Sequence, residues 1–115
     1  MKKDEGKPYQ VAGRIRMARE MAGLSQGQVA KLMGLHRPSV TEIEAGNRRV
    51  STDELEQFAR HFEVSTSWLL GEQVGAEDPR QAKLYLAARE LDKLKTEDLD
   101  RLLKVLATIR QEKQP

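Results

Sequence analysis

The sequence has no cysteine, only two histidines and only five aromatic residues among its 115 residues. Without cysteine there is neither a disulfide framework nor a thiolate metal site, and the two histidines, His36 and His61, are far apart in sequence. No stretch approaches the ~20 consecutive apolar residues that span a bilayer, and the start lacks the apolar run of a signal peptide. We therefore expect a cytoplasmic protein with no metal, no cofactor and no membrane contact.

Basic residues are concentrated in the first half of the chain. Residues 1–50 carry ten Lys and Arg against five Asp and Glu, and residues 51–115 carry ten against thirteen, so the formal charges are +5 and −3. A basic half is typical of a surface that faces a polyanion, although solvated lysines produce the same excess. Charge alone leaves both interpretations open.

Helix signals recur along the whole chain, and no run shows the apolar–polar alternation of a strand. Ser25 with Gln28, and Ser51 with Glu54, have the form of capping boxes that begin helices. Glycines follow the apolar stripes where helices should end. The predicted helices are Tyr9–Ala22, Ser25–Gly34, His36 or Arg37 to Ala45, Ser51–Phe62, Ser65–Leu70, residues 80–94, and a last helix capped by Thr96.

The predicted helices divide the chain into parts. Five helices within residues 9–71 form one core, residues 1–8 form a disordered arm, and residues 72–79 have the composition of a linker. Residues 80–115 form a two-helix extension without a closed core, so its apolar stripes must pack on the first domain or on a second copy. The two stripes are Leu84, Ala87, Ala88, Leu91 and Leu94, and then Leu99, Leu102, Leu103, Leu106 and Ile109.

The segment from Leu24 to Gly46 contains two short capped helices joined by a tight turn with a glycine, which is the plan of a helix-turn-helix. It resembles the helix-turn-helix of phage lambda-type repressors and Cro, the Xre group of bacterial and phage regulators. The resemblance covers about residues 9–71 and implies an all-α, five-helix lambda-repressor-like DNA-binding domain. The motifs that carry it are Arg14-Ile15-Arg16, Ala30, Gly34, Ile43-Glu44-x-Gly46 and Val64-Ser65-x-x-Trp68-Leu69-Leu70.

The third helix corresponds to the helix that enters the major groove in this family. Val40 and Ile43 must face the core, so the positions between them and before them face outward. Arg37 can bond guanine O6 and N7 together, whereas Glu42 can accept from cytosine N4, repel phosphate or pair with Arg37. The expected base-reading residues are Arg37, Pro38, Ser39, Thr41 and Glu42.

Other positions match the backbone contacts and the structural ion pair of the family. The start of the second helix presents free N–H groups to a phosphate, and Gly27 is there either as a tolerated surface glycine or for close approach of DNA. The resemblance also implies that Arg19 and Glu44 form an ion pair, and His36 is a helix cap or a phosphate donor. The expected phosphate contacts are Gln26, His36, Asn47, Arg48 and Arg49.

The resemblance implies a sequence-specific regulator of transcription, most simply a repressor that binds a palindromic operator as a homodimer. The stripe Leu99, Leu102, Leu103, Leu106 and Ile109 is the expected dimer interface. The alternative is an antitoxin-like or anti-regulator subunit that binds another protein through residues 80–115 and regulates its own promoter. No enzyme is expected, because neither a phosphate-binding glycine loop nor a nucleophile with a base is present.

Overall fold

In a computed structural model of the chain, residues 10–72 and 78–113 are described, and this part of the chain contains helices and no strand. The all-α prediction is therefore confirmed. None of the described helices is long and apolar enough to cross a membrane. The helices are α1 Val11–Met21, α2 Gln26–Met33, α3 Arg37–Glu44, α4 Thr52–Phe62, α5 Thr66–Leu70, α6 Pro79–Asp92 and α7 Thr96–Glu112.

Capping side chains fix the starts of α2 and α4. Ser25 Oγ accepts from the Gln28 N–H at 3.0 Å, and Gln28 Oε1 accepts from the Ser25 N–H at 2.8 Å. Ser51 and Glu54 repeat the same reciprocal pair at 3.1 and 3.0 Å. Both predicted capping boxes are confirmed, and each satisfies backbone groups that have no partner within the helix.

The limits of three predicted helices differ by one or two residues from the structure. The helix predicted at residues 80–94 is α6, Pro79–Asp92, and its N-cap is Asp78, so it begins within the segment 72–79 whose composition predicts a linker. Gln10 is the N-cap of α1, so this helix begins at Val11, while the predicted start at Tyr9 lies outside the described residues. Lys95, not Thr96, is the N-cap of α7, and its side chain makes no capping hydrogen bond. The sequence predicts Thr96 as the cap because its hydroxyl precedes two carboxylates. In the structure Thr96 is instead the first residue of the helix. The predicted arm at 1–8 lies outside the described residues.

Trp68 is fully buried in the core and contacts Arg14 of α1 and Tyr85 of α6. Arg14 of α1 is 1% exposed, and its Nη1 donates to the carbonyl of Trp68 at 2.8 Å while its guanidinium lies 4.9 Å from the Trp68 ring centroid. Phe58 and Phe62 of α4 stack with centroids 5.7 Å apart. The α1, α4 and α5 helices also pack on one another, while α3 packs on α1 and α2 packs on α4.

The α6 helix packs on this core through a face other than the one that its apolar pattern predicts. Tyr85 stacks on Trp68 with ring centroids 5.3 Å apart, and Ala82 and Leu86 are buried. The predicted stripe is wrong as the core face: its leucines Leu84, Leu91 and Leu94 are 46%, 36% and 40% exposed. The reason is that an aromatic ring three residues after Ala82 gains a stacking partner on the core, which the leucine face does not have.

The last helix, α7, has no buried residue. Leu103, Leu106 and Ile109 are 55%, 51% and 44% exposed, so the described part of the chain does not cover their apolar stripe. Folding back of this stripe onto the first domain is not seen among the described residues. The structure therefore has a compact part that ends with α6 and an uncovered amphipathic helix beyond it.

Candidate nucleic-acid interface

The α2 and α3 helices are joined by the three residues Gly34, Leu35 and His36. Gly34 adopts the left-handed conformation, with φ of 68°, and the Leu35 N–H donates to the Ala30 carbonyl at 2.8 Å. A side chain at this φ costs free energy, so the glycine permits the sharp turn. The turn places α3 across α2 with one of its faces directed away from the core.

The two faces of α3 are sharply different in exposure. Val40 and Ile43 are 0% and 1% exposed and pack in the core. The opposite face is open, and Ser39 lies at its margin, half-buried. Four exposed residues form what we call the α3 outer face: Arg37, Pro38, Thr41 and Glu42.

No ion pair involves Arg37 or Glu42 within the described residues, so the two are not joined to each other in the free protein. The guanidinium of Arg37 and the carboxylate of Glu42 are therefore both available to an external ligand. A planar donor fork and an acceptor five residues apart on one helix can recognise a guanine and a cytosine edge.

A partly buried ion pair holds the other side of α3 to α1. Arg19 donates to both carboxylate oxygens of Glu44, with Nε–Oε2 at 2.6 Å and Nη2–Oε1 at 3.0 Å, and also to the Leu24 carbonyl at 2.8 Å. The hydrogen bond to Glu44 raises the pKa of Arg19 above its ordinary value. The two side chains are 12% and 4% exposed, so this pair is shielded from solvent. It fixes how far α3 projects from α1.

Gln26 extends this network to the outer face of α3. Its Nε2 donates to Glu44 Oε1 at 3.1 Å, and its Oε1 accepts from the Thr41 hydroxyl at 2.8 Å. The sequence predicts Gln26 as a phosphate contact but predicts neither bond, because the partners are 18 and 15 residues away and no local spacing indicates them. One amide N–H of Gln26 remains for a further partner.

The starts of α2 and α3 lie beside each other. A Cβ at Gly27 would lie 3.9 Å from Ser25 Oγ and 4.0 Å from Arg37 Cδ, and both are ordinary van der Waals contacts. The Ser25 cap satisfies the N–H of Gln28, so the N–H groups of Gln26 and Gly27 have no acceptor within their helix. This helix start combines free backbone donors with the positive end of a dipole, which suits a phosphate.

His36 occupies the N-cap of α3 and is exposed. Its side chain makes no capping hydrogen bond, so the structure does not show the capping role that the sequence left open. Its imidazole lies at the entrance to the α3 outer face, one residue before Arg37.

The loop after α3 contains two exposed polar residues and one that is tied down. Arg48 makes two hydrogen bonds to Glu54, at 3.1 and 2.9 Å, and the pair holds the pKa of Glu54 below and that of Arg48 above the ordinary values. Asn47 and Arg49 are exposed, and neither side chain has a hydrogen-bond partner among the described residues. The sequence predicts a phosphate contact for each of these three residues, whereas in the structure Arg48 is bound to Glu54 and its two neighbours are not.

The described residues bring together no group of three or more His, Asp or Glu side chains that could hold a metal ion. His61 lies exposed on α4, away from the α3 outer face in sequence and element. The chemistry of this surface is therefore that of hydrogen-bond donors and acceptors on one helix, with free backbone N–H groups beside it.

The segment that contains this surface matches a known protein family. Residues 15–69 match the model of the helix-turn-helix family. This range includes all of α2, the turn and α3, and it runs on into α5. A search of curated proteins found no match.

Several solved structures are similar to this chain. The restriction-modification controller protein C.AhdI from Aeromonas hydrophila is 33% identical over 52% of this chain and 91% of its own, with a TM-score of 0.49. The hypothetical transcription factor NHTF from Neisseria is 27% identical over 58% and 75%, with a TM-score of 0.51. A chain in the complex of the SinR and SinI proteins is 21% identical over 89% of this chain and 99% of its own, with a TM-score of 0.53. At this identity the similarity shows the fold alone.

Proposed function

Because the chain belongs to the Cro/C1-type helix-turn-helix family and is a DNA-binding transcriptional regulator, we propose that it is a repressor that binds a palindromic operator as a homodimer. The observation that carries the proposal is the α3 outer face. It is exposed, it makes no ion pair among the described residues, and the partly buried Arg19–Glu44 pair fixes the position of α3 relative to α1. The major groove is wide enough for an α-helix whose exposed polar side chains reach the base edges.

Base readout is assigned to the α3 outer face. Arg37 bonds guanine O6 and N7, and Glu42, five residues later, accepts from cytosine N4. Thr41 and Ser39 contact bases or phosphate, and Pro38, which has no donor, touches a thymine methyl or sugar. Each bidentate pair contributes ~1–3 kcal/mol of discrimination against the wrong base.

Phosphate contacts are assigned to two sites on either side of the α3 outer face. The first is the start of α2, where the free N–H groups and the remaining amide proton of Gln26 meet a phosphate, together with His36. The second is the loop after α3, where Asn47 and Arg49 reach the backbone and Arg48 supports them through Glu54. Such contacts set the register of the protein on the duplex without reading its sequence.

Dimerisation is assigned to the uncovered stripe of α7. A single domain of this size offers too few base contacts for high specificity, and two copies bound one helical turn apart, ~34 Å, supply the rest. The stripe consists of Leu99, Leu102, Leu103, Leu106 and Ile109.

Selection of bound sequences from a random duplex pool tests the proposal, with full-length protein at near-physiological salt. We expect enrichment of a palindrome with half-sites about 10 base pairs apart. Enrichment of a single unrepeated half-site contradicts the dimer, and no enrichment by a folded protein contradicts sequence-specific binding. Salt must be controlled, because counterion release makes non-specific binding dominate at low salt.

A further inference from the structure

The α7 helix cannot account for its own stability. It spans 17 residues without one buried side chain, and Leu103 and Leu106 are each more than half exposed. The helix is only slightly longer than the ~12–15 residues below which isolated helices are marginal even in alanine-rich sequences, and most helical stability in proteins comes from packing of an apolar face. A surface outside the described part of this chain must therefore cover the stripe.

The charges of α7 change sign along its length. Residues 97–101 contain Glu97, Asp98 and Asp100 against Arg101, a formal charge of −2, and residues 104–113 contain Lys104, Arg110 and Lys113 against Glu112, a formal charge of +2. Two such helices side by side in parallel would place like charges together. In antiparallel orientation each acidic end meets a basic end, and the helix dipoles also oppose each other favourably.

The apolar stripe has the same symmetry as the charges. Leu99 and Ile109 each lie five residues from Lys104, and Leu102 and Leu106 each lie two residues from it. An interface with two-fold symmetry places one residue opposite a second and the second opposite the first. A two-fold axis near Lys104 therefore aligns apolar residues with apolar residues along the whole stripe.

We propose that α7 pairs with α7 of a second copy in antiparallel orientation, with Leu99 opposite Ile109 and Asp98 opposite Arg110. The inference rests on the proposed homodimer and adds its orientation and register. The occupant is a second copy because the charge reversal of the helix makes it complementary to itself.

Disulfide trapping tests the orientation, since the chain contains no cysteine that would compete. Leu99→Cys and Ile109→Cys are made separately in the full chain, then oxidised alone and as an equimolar mixture. Ten helical residues span ~15 Å, whereas disulfide-bonded Cα atoms lie within ~7 Å. We expect a mixed disulfide in the mixture and no disulfide in either variant alone, identified by mass spectrometry.

A second pair keeps the test informative if loss of Leu99 or Ile109 weakens association. Asp98→Cys and Arg110→Cys leave the stripe intact and are also expected to cross-link only as a mixture. Thr108→Cys is the control, because Thr108 lies on the side of α7 opposite Leu99 and Leu106, and it should cross-link with none of them. Sedimentation of the reduced proteins reports the oligomeric state in parallel.

The possible results separate the orientation from the dimer itself. Disulfides in single variants indicate a parallel pair and overturn the proposal while leaving the dimer. If the protein sediments as a dimer but forms no α7 disulfide, another surface, such as the exposed leucines of α6, packs against the stripe. This result also overturns the proposed pairing. A monomer, or a stripe covered only by a different protein, overturns both this proposal and the homodimer, whereas DNA recognition is judged separately by sequence selection.

Discussion

Arg48 and Glu54 join the loop after α3 to the first turn of α4 through two hydrogen bonds, Nη1–Oε1 at 3.1 Å and Nη2–Oε2 at 2.9 Å. The same carboxylate also accepts from the Ser51 N–H at 3.0 Å and so completes the α4 capping box. One acidic side chain therefore caps a helix and holds the loop that presents Asn47 and Arg49. Arg48 is a support of the proposed phosphate site in this account, and its neighbour Arg49 is the contact.

This division predicts different outcomes for the two arginines. Arg49→Ala should lower the slope of log K against log salt by about one unit and weaken binding to cognate and random duplexes alike, because one phosphate contact is lost. It should leave the free energy of unfolding unchanged. Fluorescence anisotropy at several salt concentrations and urea unfolding measure the two quantities.

Arg48→Ala should instead destabilise the protein by about 0.5–1 kcal/mol, at the low end for charge-assisted bonds because the arginine is partly exposed and screened. Its effect on the salt slope should be smaller than that of Arg49→Ala. If Arg48→Ala lowered the slope by a full unit without loss of stability, Arg48 would be the phosphate contact and the assignment would be reversed.

The ionisation of Glu54 should make the free energy of unfolding depend on pH. Arg48 holds the pKa of Glu54 below its ordinary value, so its contribution is present above about pH 4.5 and is lost as the pH falls through the lower folded pKa. Glu54→Gln keeps an acceptor for the capping box but removes the charge. The stability difference between wild type and Glu54→Gln should be constant near pH 6–7 and shrink below about pH 4.5. A difference that stays constant down to pH 3 in urea unfolding would contradict the account.

Gln26 should contribute to stability even in the absence of DNA. Gln26→Ala removes the bonds to Glu44 and Thr41, and we expect a loss of about 1 kcal/mol in the free energy of unfolding together with weaker operator binding. Lys31→Ala, an exposed position on the same helix, is the matched control and should change neither the stability nor the operator affinity appreciably. Weaker binding of Gln26→Ala with wild-type stability would assign Gln26 to phosphate alone.

The stack of Tyr85 on Trp68 should hold α6 to the core. Tyr85→Ala is expected to lower the free energy of unfolding by about 2–3 kcal/mol, since a half-buried aromatic ring is lost. Tyr85→Phe keeps the ring and removes only the hydroxyl that accepts from the Ser65 N–H, so its cost should be about 1 kcal/mol or less. Equal stability of Tyr85→Ala and wild type in urea unfolding would show that α6 is not part of the cooperative core.

Local signals were sufficient to predict most helix limits from the sequence. The Ser25 and Ser51 capping boxes act within four residues, and the turn at Gly34 depends on one residue, so each can be recognised without knowledge of the fold. The burial of Val40 and Ile43 follows from helical spacing in the same way.

Contacts between distant residues could not be predicted by the same means. Tyr85 and Trp68 are 17 residues apart, and with Tyr85 stacked on Trp68 the α6 helix buries Leu86 and leaves Leu84 and Leu91 exposed. The burial of Arg14 follows from helical spacing, because Arg14 lies three residues after Val11 and four before Ala18, on the core face of α1. The carbonyl it bonds, that of Trp68, becomes evident only when α5 is in place.

The central claim is that α3 reads base edges in the major groove through Arg37. Methylation protection of guanine N7 on the selected operator tests it directly, because N7 lies in the major groove. Wild-type protein should protect one guanine in each half-site, and Arg37→Ala should lose that protection and relax the preference at this base pair while the phosphate contacts remain. Unchanged N7 protection by Arg37→Ala, or wild-type binding that leaves every guanine N7 reactive, would contradict the account.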